Sequence, residues 1–411
     1  MPRLIARVIH IPGVNETKKK VGIKTTRIDK FKTISKKSTF LVNFEYNRGY
    51  LIRRIPKYMF DYNTVKKIFF KLNPENAHNV AEFVFKNGIR FCPFLANELT
   101  KRYFVSNERL KQNILDTTFL NPVGLAAGFD KNATMIKMLT ALGFGHIEFG
   151  TVTPKPQDGN PKPRLFRHIE QESIQNAMGF NNDGMEKVKE RVEKIYPFAT
   201  PLFANIGKNK TTSDEDALSD YEKLIDKFKN ISNTIVINIS SPNTPGLRNL
   251  QNEDFIKALF VMAKEKTDKP VLLKIAPDLE IKDAINICSV ALEHGAGGII
   301  ATNTTVDYSL LPNPQSFGGI SGKVLEEKSS AIFEELAKEF YGKTTLISVG
   351  GIDSAEIAYK RIKMGANLVQ IYSSFIFKGP KLNRDISDGI LKLMDRDGFA
   401  HISEVIGVDR R

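Results

Sequence analysis

The chain is 411 residues long, enough for a single α/β barrel of about 250 residues with extensions, or equally for two or three domains. Its 41% hydrophobic and 26% charged residues are ordinary for a soluble globular protein, and no uninterrupted apolar run is long enough to span a bilayer, so an integral membrane protein is disfavoured. The net charge of +14 is concentrated: residues 1–58 hold 15 Lys and Arg against three acids, a net of +12, which leaves +2 for residues 59–411 and gives the body no electrostatic footprint for nucleic acid.

Residues 1–58 mix basic runs such as Lys18-Lys19-Lys20 with scattered apolar residues and show neither the apolar core nor the cleavage site of a secretory signal. Three readings stay open: an organelle-targeting sequence, a basic arm for anionic lipid, or a disordered or non-native extension upstream of a start at Met59. From Asp61 a pair of helices is predicted. Val65, Ile68, Phe69 and Leu72 recur at helical spacing with Lys66, Lys67 and Lys71 elsewhere on the wheel. Asn73 reads as an N-cap, Pro74 as the first helical residue, Ala77, Val80, Ala81 and Val84 as the next apolar stripe, and Gly88 as a left-handed stop. Such a pair, placed in a domain of residues 59–98, ordinarily packs on whatever lies behind it.

After Asn121-Pro122 the pattern becomes a repeat of short buried strands, each followed by a polar or glycine-rich junction and a helical segment. The predicted strands are 123–127, 146–151, 202–206, 234–239, 271–275, 298–302, 345–349 and 368–372. Eight of them predict a closed (β/α)8 TIM barrel over residues 99–411, with an open doubly wound sheet as the competing architecture. Polar groups recur at successive carboxyl ends, where such barrels react: Asp130 and Lys131, Thr151, Asn205, Asn238 with Ser241, Lys274, Thr302 and Asn303, Gly350 and Gly351, Tyr372 and Ser373. The last segment predicts a helix around Ile386 to Met394 and a short one near Ile402 to Ile406, both for packing.

Two cysteines, Cys92 and Cys288, lack CxxC spacing, and six histidines form no HxH or HExxH arrangement, so a disulfide framework, a zinc site and metal catalysis have little support. The stretch TIVINISSPNTPGLR (234–248) is the most informative. A β-branched strand runs into a loop stiffened by Pro242 and Pro245, with amides and hydroxyls crowded at its end. A lone Ser-Pro-Asn is usually a turn. The whole of NISSPNTPGLR, however, resembles the active-site loop of class 2 dihydroorotate dehydrogenases, the quinone-dependent, membrane-associated flavoproteins in which a serine is the base. The class 1 enzymes use a cysteine, and none lies between Cys92 and Cys288.

The resemblance covers roughly residues 62–408 and implies oxidation of (S)-dihydroorotate to orotate in pyrimidine (UMP) biosynthesis, with FMN as hydride acceptor and ubiquinone or menaquinone as final acceptor. Ser241 becomes the expected catalytic base, with Ser240 as a structural neighbour and Thr244 or a water as relay. LAAGFDKN (125–132) resembles the flavin-cradling loop, so the expected cofactor contacts are Ala127, Gly128, Phe129, Asp130, Lys131, Thr151, Asn205, Asn238, Lys274, Thr302, Gly322, Gly351, Tyr372 and Ser373. SVGGIDS (348–354) and QIYSS (370–374) occupy the positions of a barrel phosphate site. NAMGFNN (176–182) resembles the substrate loop, and the expected substrate contacts are Lys131, Asn176, Ala177, Met178, Gly179, Phe180, Asn238, Asn243, Asn303 and Thr304. LNPENAH (72–78) resembles the inter-helix motif of a quinone tunnel, whose expected lining is His78, Arg167 and Tyr372, while Arg164 is left as a structural ion pair.

The resemblance implies a peripheral membrane protein on the cytoplasmic face of a bacterial membrane, or at the mitochondrial inner membrane. The alternatives are an FMN-dependent barrel reductase acting on RNA uridines, which would want a basic body and a cysteine acid, and a basic nucleic-acid-binding protein on an inactive barrel, which would want degraded strand ends.

Overall fold

The computed structural model describes residues 62–411. The expectations for residues 1–58 lie outside the described residues.

Eight parallel strands close into a barrel. They are β1 Val123–Leu125, β2 His146–Val152, β3 Leu202–Ile206, β4 Thr234–Asn238, β5 Val271–Ile275, β6 Gly298–Ala301, β7 Thr345–Val349 and β8 Leu368–Ile371. Each predicted strand is present with ends shifted by no more than two residues, because runs such as Thr234–Asn238 are buried on both faces and need helices on the outside and packed side chains within. Every strand pairs with its sequence neighbour, and β8 pairs with β1 to complete the ring, which rules out the open sheet.

The lumen is filled by Phe203, Val236, Leu272, Ile300, Ile347 and Leu368 from the strands, and by Phe119. Phe119 sits on an antiparallel hairpin, Gln112–Ile114 with Thr117–Phe119, whose two turn residues Leu115 and Asp116 both have positive φ, the geometry of a two-residue primed turn. That hairpin, which closes the barrel's amino-terminal end, carries no glycine signal and goes unforeseen. A three-stranded antiparallel sheet, Leu165–His168, Ser173–Asn176 and Gly319–Gly322, is also new.

Among the described residues three helices precede the barrel, α1 Tyr62–Phe69, α2 Pro74–Phe91 and α3 Phe94–Tyr103. Asn73 caps α2 as expected, its side chain accepting from the Glu75 amide at 3.0 Å. The predicted stop at Gly88 is incorrect: α2 continues to Phe91, and the Cys92 amide bonds back to the Gly88 carbonyl at 2.9 Å. Helix α3 was not anticipated and runs across the 98/99 boundary drawn between helical domain and barrel. No helix among the described residues is long and apolar enough to cross a membrane. The apolar stripes nevertheless do not all face inward, since Ile68, Leu72, Val80 and Val84 are exposed, and outside the stripes Phe83 is 64% exposed, Phe91 74% and Phe94 78%.

Candidate active site

The register of the barrel brings Asn238, the last residue of β4, level with Lys274 on β5. Around them a polar lattice spans the strand tips. The Thr151 hydroxyl donates to Asn205 Oδ1 (2.5 Å), and Asn238 Nδ2 donates to Thr151 Oγ1 (2.9 Å) and Asn205 Oδ1 (3.2 Å). Asn303 Nδ2 donates to Asn238 Oδ1 (3.2 Å) and Ser240 Oγ (3.0 Å), tying the tip of β6 to that of β4. Below them Lys274 Nζ lies 3.2 Å from both oxygens of Glu148, and Asn205 Nδ2 donates to the same carboxylate at 2.6 Å. Every member of this lattice is buried or nearly so, and buried polar groups hold their positions only when paired.

Ser241 follows β4 by three residues. It is buried but lines the cavity at the barrel mouth, and its Oγ accepts from the Asn243 amide at 3.3 Å. Asn243 Nδ2 donates to the carbonyl of Asn176 (3.0 Å) and to its side-chain oxygen (3.2 Å), joining the serine loop to the 176–182 loop. Asn160 Nδ2 bridges the same two loops, donating to the carbonyls of Ala177 and Asn243 at 3.0 Å each. Arg248 fastens the other side: its guanidinium donates to the Ser240 carbonyl (3.1 Å), the Thr304 carbonyl (3.0 Å) and Asp278 (2.9 Å). Thr244 and Thr304 each keep a buried hydroxyl oxygen with no partner among the described residues.

At the opposite wall, Gly350 and Gly351 follow β7 with φ of +124° and +71°. A Cβ on Gly351 would fall 2.4 Å from Glu326 Cα, so only glycine fits this turn. The fully buried Arg361 braces it, donating to Ser329 Oγ (2.8 Å) and the Glu326 carbonyl (2.8 Å), while Ser329 Oγ donates to the Gly350 carbonyl (2.8 Å). Across the cavity Ser321 and Ser373 hydroxyls are 2.9 Å apart, which docks the three-stranded sheet onto the loop after β8.

One cavity gathers Ser241, Lys131, Asn176, Met178, Gly179, Phe180, Asn238, Asn243, Asn303, Thr304, Ala127, Gly128, Thr151, Lys274, Thr302, Gly322, Gly351, Tyr372 and Ser373 in its wall. Six expected residues do not line it. Asn205 stands behind Thr151 and Asn238. Asp130 is fully buried and caps the following turn, accepting from the amides of Thr134 (2.9 Å) and Met135 (2.8 Å). Burial pushes Asp130 up to about 6. The Ala177 backbone bonds to Arg164 and Asn160. Phe129 packs edge-on against Tyr372 and Phe375 from the barrel and against His78 from α2, ring centroids 5.3 to 6.0 Å apart, so it connects helices and cavity. Burial pushes His78 down to about 3, which keeps its ring neutral. Arg167 lies over the Phe70 ring, 4.2 Å from its centroid, at the end of α1.

Lys131 is one of the lysines in the cavity wall, with Lys274, Lys323 and Lys378, and burial pushes it down to about 8. Arg164 makes the ion pair expected of it, 2.8 Å from Glu75 on α2. Glu148, Asn160, Arg248, Asp278 and Arg361 escaped the sequence reading. Glu148 had a signal, a charge in the middle of the buried strand HIEFGTV, and Arg248 ends the stretch already singled out; the others had none.

A family model described as dihydroorotate dehydrogenase matches residues 109–394. The chain is 60% identical over 351 residues to a dihydroorotate dehydrogenase (quinone) of Nitratiruptor sp., covering 85% of this chain and all of that protein. It is 59% identical to the protein of the same description from Sulfurovum sp., over 85% of this chain and 99% of that one. Among solved structures, DHODH from Eimeria tenella in complex with ferulenol superposes with a TM-score of 0.75 at 34% identity, over 84% of this chain and 99% of that chain.

Proposed function

Because the chain belongs to the dihydroorotate dehydrogenase family, we propose a residue-level account of how it performs that family's reaction. Its activity is the oxidation of dihydroorotate to orotate, a step of pyrimidine biosynthesis, with flavin as the cofactor and a quinone as the final acceptor. The observation that carries the residue assignments is the single cavity in which Ser241, Lys131, Lys274, the asparagine cluster and the Gly350-Gly351 turn all meet.

The flavin is FMN. The residues present fit it: a small-residue wall at Ala127 and Gly128, a cation at Lys274, hydroxyls at Thr151 and Thr302, and a glycine turn admitting close approach of a phosphate. Gly322 and Ser373 complete that end, and Asn205 acts through Thr151 and Asn238. FMN held by these residues would supply a two-electron acceptor for the hydride at the substrate's C6 and a donor for the quinone.

Lys131 holds the substrate carboxylate, an ionic contact worth more in a water-poor cavity than in solvent. Asn176, Asn238, Asn243, Asn303 and Thr304 offer fixed amide and hydroxyl groups to the ring's imide edge, with Ala177, Met178, Gly179 and Phe180 forming the loop against it. Ser241 Oγ takes the proton from C5. A hydroxyl is a weak base, so it needs somewhere to pass its own proton, and Thr244, whose buried hydroxyl has no partner among the described residues, or a water is the relay. Asn243 fixes the serine through its backbone and the substrate loop through its side chain.

Quinone enters between α1 and α2, past His78 and Arg167 towards Tyr372, and Phe129 bridges His78 to Tyr372. The exposed Ile68, Phe83, Phe91 and Phe94, with Lys66, Lys67 and Lys71 beside them, hold the protein peripherally on a bacterial membrane's cytoplasmic face. The test is anaerobic: dihydroorotate bleaches the yellow protein, and a soluble quinone restores its colour while NAD and fumarate do not. Recovery with fumarate alone contradicts the quinone reading.

A further inference from the structure

The barrel lumen holds a charge pair that the reaction itself does not call for. Glu148 has no exposed surface, lies on β2 behind the cavity wall, and meets Lys274 Nζ with both oxygens at 3.2 Å. Asn205 Nδ2 clamps the same carboxylate at 2.6 Å, so its rotamer is fixed from two sides. Lys274 reaches the cavity wall and Glu148 does not. His146, two residues earlier on β2, is pushed by burial down to about 3 and stays neutral, stacked on Phe203 and 3.3 Å from Gln370.

A buried ion pair of this kind is seldom retained for stability, since well-packed apolar residues of the same volume serve as well. Its consequence is electrostatic. A lone ammonium in a low-dielectric lumen would stabilise the negative charge of a reduced flavin strongly; a carboxylate 3.2 Å behind it cancels much of that field and leaves a short dipole. An enzyme that must both fill and empty its cofactor needs the smaller effect, because a cofactor held too firmly in the reduced state passes electrons slowly to quinone.

We propose that Glu148 is a positioning residue that acts through Lys274, holding its ammonium at the cavity wall and partly neutralising it, and thereby sets the reduction potential of the bound flavin. The inference rests on the reading of Lys274 as a flavin contact, and the experiment separates the two.

The measurement is the midpoint potential of the bound flavin, titrated spectroscopically in the purified holoprotein, for wild type, Glu148→Gln, Lys274→Met and the double variant. Glu148→Gln keeps the side chain's shape and an acceptor for Asn205 but removes the charge. Its potential rises by the equivalent of at least a tenfold shift of the equilibrium towards reduced flavin, about 30 mV for a two-electron couple. Reoxidation by quinone slows while reduction by dihydroorotate does not. In Lys274→Met the potential falls, and the double variant coincides with it, because without the ammonium Glu148 has nothing to act through. An unchanged or lowered potential in Glu148→Gln overturns the role of Glu148. An unchanged potential in Lys274→Met overturns the flavin contact itself. Where Glu148→Gln does not fold, the neutral double variant decides: a potential differing from that of Lys274→Met shows that Glu148 does not act through Lys274.

Discussion

Asn243 and Asn176, 67 residues apart in the chain, are joined by two hydrogen bonds from one amide group, at 3.0 Å to the Asn176 carbonyl and 3.2 Å to its side-chain oxygen. The bond pair locks the loop carrying Ser241 to the loop proposed to carry the substrate, so that base and substrate move as one body. Asn243→Ala breaks the lock and leaves the Asn176 groups without their donor. Losing two such bonds costs roughly 2–3 kcal/mol of transition-state stabilisation, about 30- to 150-fold in kcat/KM, with flavin content unchanged. Steady-state kinetics alongside the flavin absorbance ratio reads both.

Lys131 carries a pH dependence of known sign. Burial lowers its pKa to about 8, so above that pH the free protein loses the cation that the substrate carboxylate needs. Orotate binding, followed by the flavin spectrum, weakens from about pH 8 upwards, approaching tenfold per pH unit, and Lys131→Met removes the dependence. For stability the sign runs the other way: the folded pKa lies below the unfolded value, so the unfolded chain binds the extra proton between them, and this group's contribution grows as pH rises through that window.

The pair Glu75 and Arg164 fastens α2 to the barrel's loops, with Lys162 3.2 Å from the same carboxylate. Burial pushes Glu75 up, but hydrogen bonds from Arg164 and Lys162 outweigh it and hold the carboxyl below its usual range. Arg164→Ala leaves the Glu75 carboxylate with Lys162 as its one remaining cation and lowers the unfolding free energy by about 1–3 kcal/mol in urea titration. The stabilisation from Glu75, fully present above the unfolded carboxyl's pKa, is lost as pH falls through the depressed folded one, so the variant and the native protein converge in acid.

The exposed aromatics of α2 and α3 give a membrane prediction. Phe83→Ser, Phe91→Ser and Phe94→Ser together remove apolar surface worth about 1.5–3 kcal/mol per side chain if fully inserted. Co-sedimentation with phospholipid vesicles falls sharply, while the rate with a soluble quinone in detergent is kept. Undiminished vesicle binding places the membrane contact elsewhere.

The eight strands were legible because burial on both faces imposes a short apolar run, β-branched in Thr234–Asn238, and because polar or glycine residues stand at or just beyond the run's end. The hairpin carrying Phe119 was not, since its turn uses Leu115 and Asp116 where glycine or asparagine would have signalled it. Helix α3 was missed, and Gly88 was misjudged because a glycine is only a weak helix breaker: α2 runs through it, close against the Met138 side chain. In the site, the residues that line the cavity were named from motif resemblance. Those that hold them, Asn160, Arg248, Asp278 and Arg361, act across long sequence separations that no local pattern encodes.

The central claim is that Ser241 Oγ is the base serving a flavin held at the barrel mouth. Anaerobic stopped-flow mixing of dihydroorotate with Ser241→Ala holoprotein tests it most directly. Flavin and orotate binding stay intact, while flavin reduction slows by about 10²–10⁴-fold. Reduction at the native rate contradicts it.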